Sequence, residues 1–145
     1  MSAYIPVEIQ RQVRERFANC CAYCRTAESL TAVIFEFEHI IPRAAGGETV
    51  VENICLSCPT CNRYKSDAEF ARDPVTQKDV GLFHPYQHAW ADHFAWGEGG
   101  TEVIGLTAVG RATIAALKMN RPAMIRVRKM WVVMGEHPPT MDQDA

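Results

Sequence analysis

The sequence predicts an α+β fold in a single domain, on three observations. Phe35 and Phe37 alternate with Glu36 and Glu38 inside a β-branched and aromatic stretch at 30–41, the period of a half-buried strand. Helical segments flank that stretch, 6–17 before it and 59–70 after it, each opening on a proline where a helix can begin. Two Cys-x-x-Cys pairs, Cys21/Cys24 and Cys58/Cys61, bracket everything between them.

The chain has 145 residues, enough for one modest core. Apolar residues make up 48% and charged residues 22%, which excludes a disordered chain. The net charge of -2 does not by itself announce a nucleic-acid binder, but the distribution is uneven. Arg111, Lys118, Arg121, Arg126, Arg128 and Lys129 fall in a stretch at 103–135 that holds no acid, and Arg11, Arg14 and Arg16 cluster near the start. Local basic surface attracts a phosphate backbone whatever the total charge. No apolar run approaches the ~20 residues of a membrane span, and no apolar signal core opens the chain, so a cytoplasmic protein is expected.

Taken in order, Pro6 suits the first helical position, and Val7, Val13 and Phe17 form an apolar stripe. The strand at 30–41 ends at Pro42. A loop at 43–52 follows, with Gly46-Gly47 allowing a sharp reversal. A short apolar piece at 53–57 reads as a second strand, and 72–78 as a polar connector. Gly97-Glu98-Gly99-Gly100 reads as a hairpin turn between strands at 93–96 and 102–106. Thr107 is the expected N-cap of a helix to about Met119, and Pro122 opens another that Gly135 ends. Ile114, Leu117, Ile125, Val127, Trp131 and Val132 are its expected core residues, with His137 and the tail loose. The expected division is a core at 5–70 with an extension at 71–139 packed on it.

Two thiolates at Cys-x-x-Cys spacing reach one tetrahedral ion, so two such pairs point to a four-cysteine zinc site. Six cysteines without an export signal favour metal over disulfides, although two disulfides or unliganded thiols remain the alternative. Cys55 is also correctly spaced from Cys58, and Cys20 adjoins Cys21. Cys55 lies in an apolar run, so Cys21, Cys24, Cys58 and Cys61 are the preferred set, with Cys20 and Cys55 as buried free thiols. The ion then clamps both ends of an insertion that carries Glu38, His39 and Asn53.

Those three residues and Asn62 suit phosphodiester hydrolysis. A neutral histidine is a base near pH 7, and a hard cation takes a carboxylate and an amide oxygen. Singly, each is more often a surface, cap or strand residue than a catalytic one. Neighbouring strand residues point to opposite faces, so Glu38 and His39 share a site only if the strand bends or bulges there.

The ordered set resembles an HNH endonuclease of the zinc-stapled type, closely from Cys21 to Lys65: Cys-x-x-Cys, acid-His followed by Pro, a Gly pair, an Asn, then Cys-x-x-Cys-Asn and a basic residue. The resemblance implies a ββα-metal core and hydrolysis of DNA, duplex DNA being the expected partner. It implies that His39 activates water, that Glu38 and Asn62 bind catalytic Mg²⁺ or Mn²⁺, and that Asn53 orders the loop and orients the base. It implies structural zinc on the four cysteines and Lys65, Arg63 and Arg43 at the phosphate. The family usually carries Asp where this chain has Glu38, which lengthens the ligand and puts its ion preference in question. The segment after Asp73 looks like the extension of some bacterial HNH proteins.

A non-catalytic zinc module that binds nucleic acid is the competing expectation. The aromatics Trp90, Phe94 and Trp96 are expected to fill the second half of the core rather than dock a partner.

Overall fold

The computed structural model describes residues 4–140. Helix α1 (Val7–Arg16) leads into a tight cysteine turn. Strand β1 (Glu36–His39) then pairs antiparallel with β2 (Ile54–Ser57), and helix α2 (Pro59–Lys65) follows at once. A second hairpin joins β3 (Phe70–Arg72) to β4 (Asp79–Gly81). The short helix α3 (Trp90–His93) runs into β5 (Phe94–Trp96), which pairs with β6 (Val103–Gly105). Helices α4 (Ala108–Leu117) and α5 (Pro122–Val133) close the chain. No described helix is long and apolar enough to cross a membrane.

One apolar core serves both halves. Val13, Phe17, Ile54 and Leu56 from the first half share a cluster with Phe83, Trp90, Phe94, Leu117 and Met119 from the second. The Trp90 indole N–H donates to Tyr23 O at 2.8 Å, and the Tyr86 hydroxyl donates to Ile54 O at 2.8 Å. The extension is thereby tied to the cysteine turn and to β2. Trp90 and Phe94 are core residues, as expected, packing on each other and on Phe83, while Trp96 is only half-buried against the same core.

Four expectations are corrected. The strand is shorter than 30–41. Glu28–Leu30 forms a 3-10 turn closed by Thr31, and Val33 and Ile34 are exposed with no partner strand among the described residues. The helix expected to reach 70 ends at Lys65, where Ser66 takes a left-handed φ of 49°. The 72–78 connector is a hairpin loop. Asp73 organises it by accepting from Val75 N, Thr76 N and the Thr76 hydroxyl, and it takes a bidentate pair from Arg111 at 3.0 and 2.9 Å. His137 is buried rather than loose, 3.0 Å from Gly100 O and edge-on to Trp96. The Thr107 N-cap forms as expected, its hydroxyl accepting from Gly110 N at 3.0 Å.

Arg128 also departs from expectation. Its place in a run of basic residues reads as surface, yet it is fully buried. Leu117 and Trp131 are buried as expected, while Ile114, Ile125, Val127 and Val132 are only half-buried.

Candidate metal centre and active site

Two local turns build the cysteine cluster. Cys21 N donates to Thr26 O and Arg25 N to Cys21 O, and Arg25 takes a φ of 63° so that the chain can reverse. Opposite, Cys58 caps α2: its sulfur accepts from Cys61 N at 3.4 Å, and Pro59 occupies the first helical position. The Sγ atoms of Cys21, Cys24, Cys58 and Cys61 lie within 4.8 Å of one another, all four residues buried. A tetrahedral zinc with Zn–S near 2.3 Å separates its sulfurs by about 3.8 Å, and Cys24 and Cys58 stand 3.9 Å apart. The donor set fits zinc. Burial pushes the Cys21 thiol well up, and hydrogen bonding within the cluster pushes Cys61 well up. A full tetrathiolate therefore calls for a bound cation. The Cys55 sulfur lies apart, 3.8 Å from the Tyr23 hydroxyl and from Glu38 Oε2.

The loop between β1 and β2 is clamped by one amide. Ile41 N donates to Asn53 Oδ1 at 2.9 Å, and Asn53 Nδ2 donates to Ile41 O at 3.1 Å and to Glu48 O at 2.9 Å. The two glycines make the clamp possible. Gly46 turns at φ 93°, and a Cβ on Gly47 would stand 1.8 Å from Ile41 O. The clamped loop presents Thr49, whose Oγ1 lies 2.8 Å from His39 Nε2. Partial burial, with Arg43 adding repulsion, holds His39 below the ordinary imidazole value. The ring is accordingly neutral at pH 7.

On the other side of the hairpin, β1 faces α2. Asn62 Nδ2 lies 3.4 Å from Glu36 Oε2, and one helical turn on, Lys65 Nζ lies 2.9 Å from Glu38 Oε1. Asn62 and Lys65 are three apart on a helix, and Glu36 and Glu38 two apart on a strand, so each pair shares a face. Glu38 and Lys65 are both buried, and Lys65 also donates to Ile40 O at 3.2 Å. Glu38 Oε1 and Nζ are close but poorly aligned for a directed hydrogen bond, so the contact is mainly Coulombic. Burial pushes the Glu38 carboxyl up, with Lys65 pulling against it.

These placements separate residues that sequence placed together. The β1–β2 ladder pairs Glu36 with Ser57, Phe37 with Leu56, Glu38 with Cys55 and His39 with Ile54, with no bulge. Glu38 and His39 therefore leave opposite faces of the hairpin, and the expected bend is absent. Lys65, expected beside a phosphate, is buried under the hairpin. Arg43 and Arg63 are exposed. Of the basic residues at 103–135, Arg111 is taken up by Asp73 and Arg128 by the core, while Lys118 lies over the Tyr64 ring on α2 at 4.8 Å. Sequence reasoning missed Glu36 and Thr49. Glu36 was findable from the strand period, since it shares a face with Glu38. Thr49 had no signal, because a hydroxyl in a loop matches no ligand spacing.

The family model described as HNH endonuclease matches residues 21–68, a stretch that begins at the first cluster cysteine and ends just past α2. The tetracysteine cluster within it is consistent with that family. No curated protein and no solved structure matches the chain.

Proposed function

With the HNH endonuclease family matched across residues 21–68, we propose that this protein hydrolyses DNA phosphodiester bonds, its β1–β2–α2 unit serving as a ββα-metal core. The observation that carries the proposal is the state of His39. Burial and the nearby Arg43 lower its pKa below the ordinary imidazole value, which favours the neutral ring near pH 7, and among the described residues its hydrogen bond is made at Nε2. A neutral imidazole beside a cation that can meet a phosphate is what attack by water on a phosphodiester needs.

In this proposal His39 takes the proton of the attacking water. Arg43 and Arg63 meet the phosphate oxygens from the solvent side. Asn53 holds the loop that carries the base's partner, and zinc on the four cysteines fixes the start of α2. The oxygen donors on the α2 side, Asn62 with Glu36 or Glu38, would hold a hard cation such as Mg²⁺ or Mn²⁺. Those donors lie on the opposite face of β1 from His39, so the ion would neutralise charge at the scissile phosphate only where that phosphate reaches round the end of the hairpin between the two faces. Glu36 already touches Asn62, whereas Glu38 must first leave Lys65. The Glu38–Lys65 pair is also what favours the second reading, a zinc module that binds nucleic acid without cutting it.

Nicking of supercoiled plasmid by the zinc-loaded protein, with Mg²⁺, Mn²⁺ or Ni²⁺ supplied, separates the two. Wild type is expected to nick, and His39→Ala to lose roughly 10²- to 10⁴-fold, the span of a general base. Plasmid bound but never nicked under any of the three ions would give the second reading.

A further inference from the structure

We propose that Thr49 is the positioning residue of the His39 base, accepting a hydrogen bond from Nε2–H so that the lone pair sits on Nδ1; this rests on the nuclease proposal above. A neutral imidazole has one donor nitrogen and one acceptor nitrogen, and the partner of one decides the role of the other. Nε2 lies 2.8 Å from Thr49 Oγ1, and Nδ1 has no hydrogen-bond partner among the described residues. When Nε2 donates, Nδ1 is left as the acceptor that a water can meet. As Nδ1 gains a proton, Nε2–H becomes a stronger donor, and the threonine oxygen stabilises the imidazolium. The arrangement is a base with an orienting partner behind it.

The chain goes to some length to deliver that hydroxyl. Thr49 directly follows Glu48, whose carbonyl is gripped by Asn53, and the same amide grips Ile41 two residues after His39. Asn53 thus ties both ends of the Thr49–His39 contact to one rigid group. Gly47 allows the approach, since any side chain there would meet Ile41 O. The contact with His39 is the one hydrogen bond of the Thr49 hydroxyl among the described residues.

The test compares Thr49→Val, which keeps the shape and removes the hydroxyl, with Thr49→Ser, which keeps the hydroxyl. Plasmid nicking with Mn²⁺ is read as kcat and KM separately, with zinc content and circular dichroism confirming the fold. Thr49→Val is expected to lower kcat by roughly 10- to 100-fold at little-changed KM, the range for losing a group that orients a reacting side chain. Thr49→Ser is expected to restore most of it. Long-range ¹H–¹⁵N NMR of the DNA-free protein above the His39 pKa is expected to show the Nε2–H tautomer. The proposal is overturned if Thr49→Val turns over like wild type, if Thr49→Ser is as impaired as Thr49→Val, or if the ring carries its proton on Nδ1. An active wild type with an unimpaired Thr49→Val sinks this inference alone. A wild type that never nicks sinks the nuclease proposal and this with it.

Discussion

The two halves of the molecule bury positive charge in opposite ways. Under the β1–β2 hairpin, Lys65 meets a carboxylate, Glu38. In the extension, Arg128 is fully buried and makes no ion pair among the described residues. It donates to Met119 O at 2.7 Å, Thr101 O at 3.0 Å and Asn120 Oδ1 at 3.2 Å, and lies over the Trp96 ring at 5.4 Å. Met119 lies just past the end of α4, so Arg128 places a cation near that helix's negative end. The extension spends Arg128 on its own carbonyls and Arg111 on its own Asp73. The hairpin half keeps Arg43, Arg63 and Glu36 at the surface, with the half-buried His39 near Arg43. One half is built to be complete, and the other retains polar groups that the fold alone does not use.

The largest expected effect breaks that comparison at its base. Removing zinc should unfold the hairpin half, because structural zinc contributes on the order of 10 kcal/mol in small domains. Four buried sulfurs would be left facing one another. Far-ultraviolet circular dichroism after exhaustive chelation at neutral pH should fall sharply. Trp90 should report the loss too, since its indole is bonded to Tyr23 between two of the ligands. An unchanged spectrum in protein shown to be zinc-free would refute this.

Much of the hairpin half was legible in the sequence, and the reason is geometric. Tetrahedral coordination fixes how far apart ligands can be in a chain, so Cys21, Cys24, Cys58 and Cys61 announce themselves. Turn chemistry is similarly local, and Thr107 and Gly46-Gly47 behave as their types require. Burial of charge is not local. Lys65 reads as a surface cation until α2 is laid across the face of β1 that carries Glu38. Arg128 left a fainter trace. Met124, Arg128 and Trp131 fall at i, i+4 and i+7, so the arginine sits on the inward stripe of α5. A charged residue there suggests a buried partner, but no pattern says that the partners are carbonyls from 101, 119 and 120.

The next effects sharpen the contrast between the two buried cations. Glu38→Gln strands Lys65 without its counter-charge and should cost about 3 kcal/mol, the scale for breaking a buried pair. Adding Lys65→Met should recover most of that loss, because the pair is removed as a unit. Arg128→Met has no such rescue. It leaves two carbonyls unmet and should cost about 2–6 kcal/mol at 1–3 per orphaned group, with zinc content unchanged. Urea melts of the four proteins check this, and equal stability of Glu38→Gln and its double variant would count against the ion pair. The same double variant locates the hard cation. If Glu36 carries the ion with Asn62, Mn²⁺ binding should persist in Glu38→Gln/Lys65→Met and be lost in Glu36→Gln.

The smallest expected effect concerns pH. Burial first, and Arg43 second, depress the His39 pKa, so the ring sheds its proton below the ordinary value near 6.5. Between the folded and unfolded pKa values the unfolded chain binds more protons, so this group makes stability rise with pH there. Catalysis follows the same sign. The base is ready above the folded pKa and is lost as pH falls through it, which places the acid limb of kcat/KM below pH ~6.5. Arg43→Gln removes one of the two causes and leaves burial in place. The limb should therefore move up, by less than about one pH unit, without passing the ordinary value. Because Arg43 is exposed, added salt should produce part of the same displacement in wild type and little in the variant. A limb that stays put in Arg43→Gln, or moves down, would mean that burial alone sets the proton affinity of His39 and that the guanidinium acts on the phosphate only.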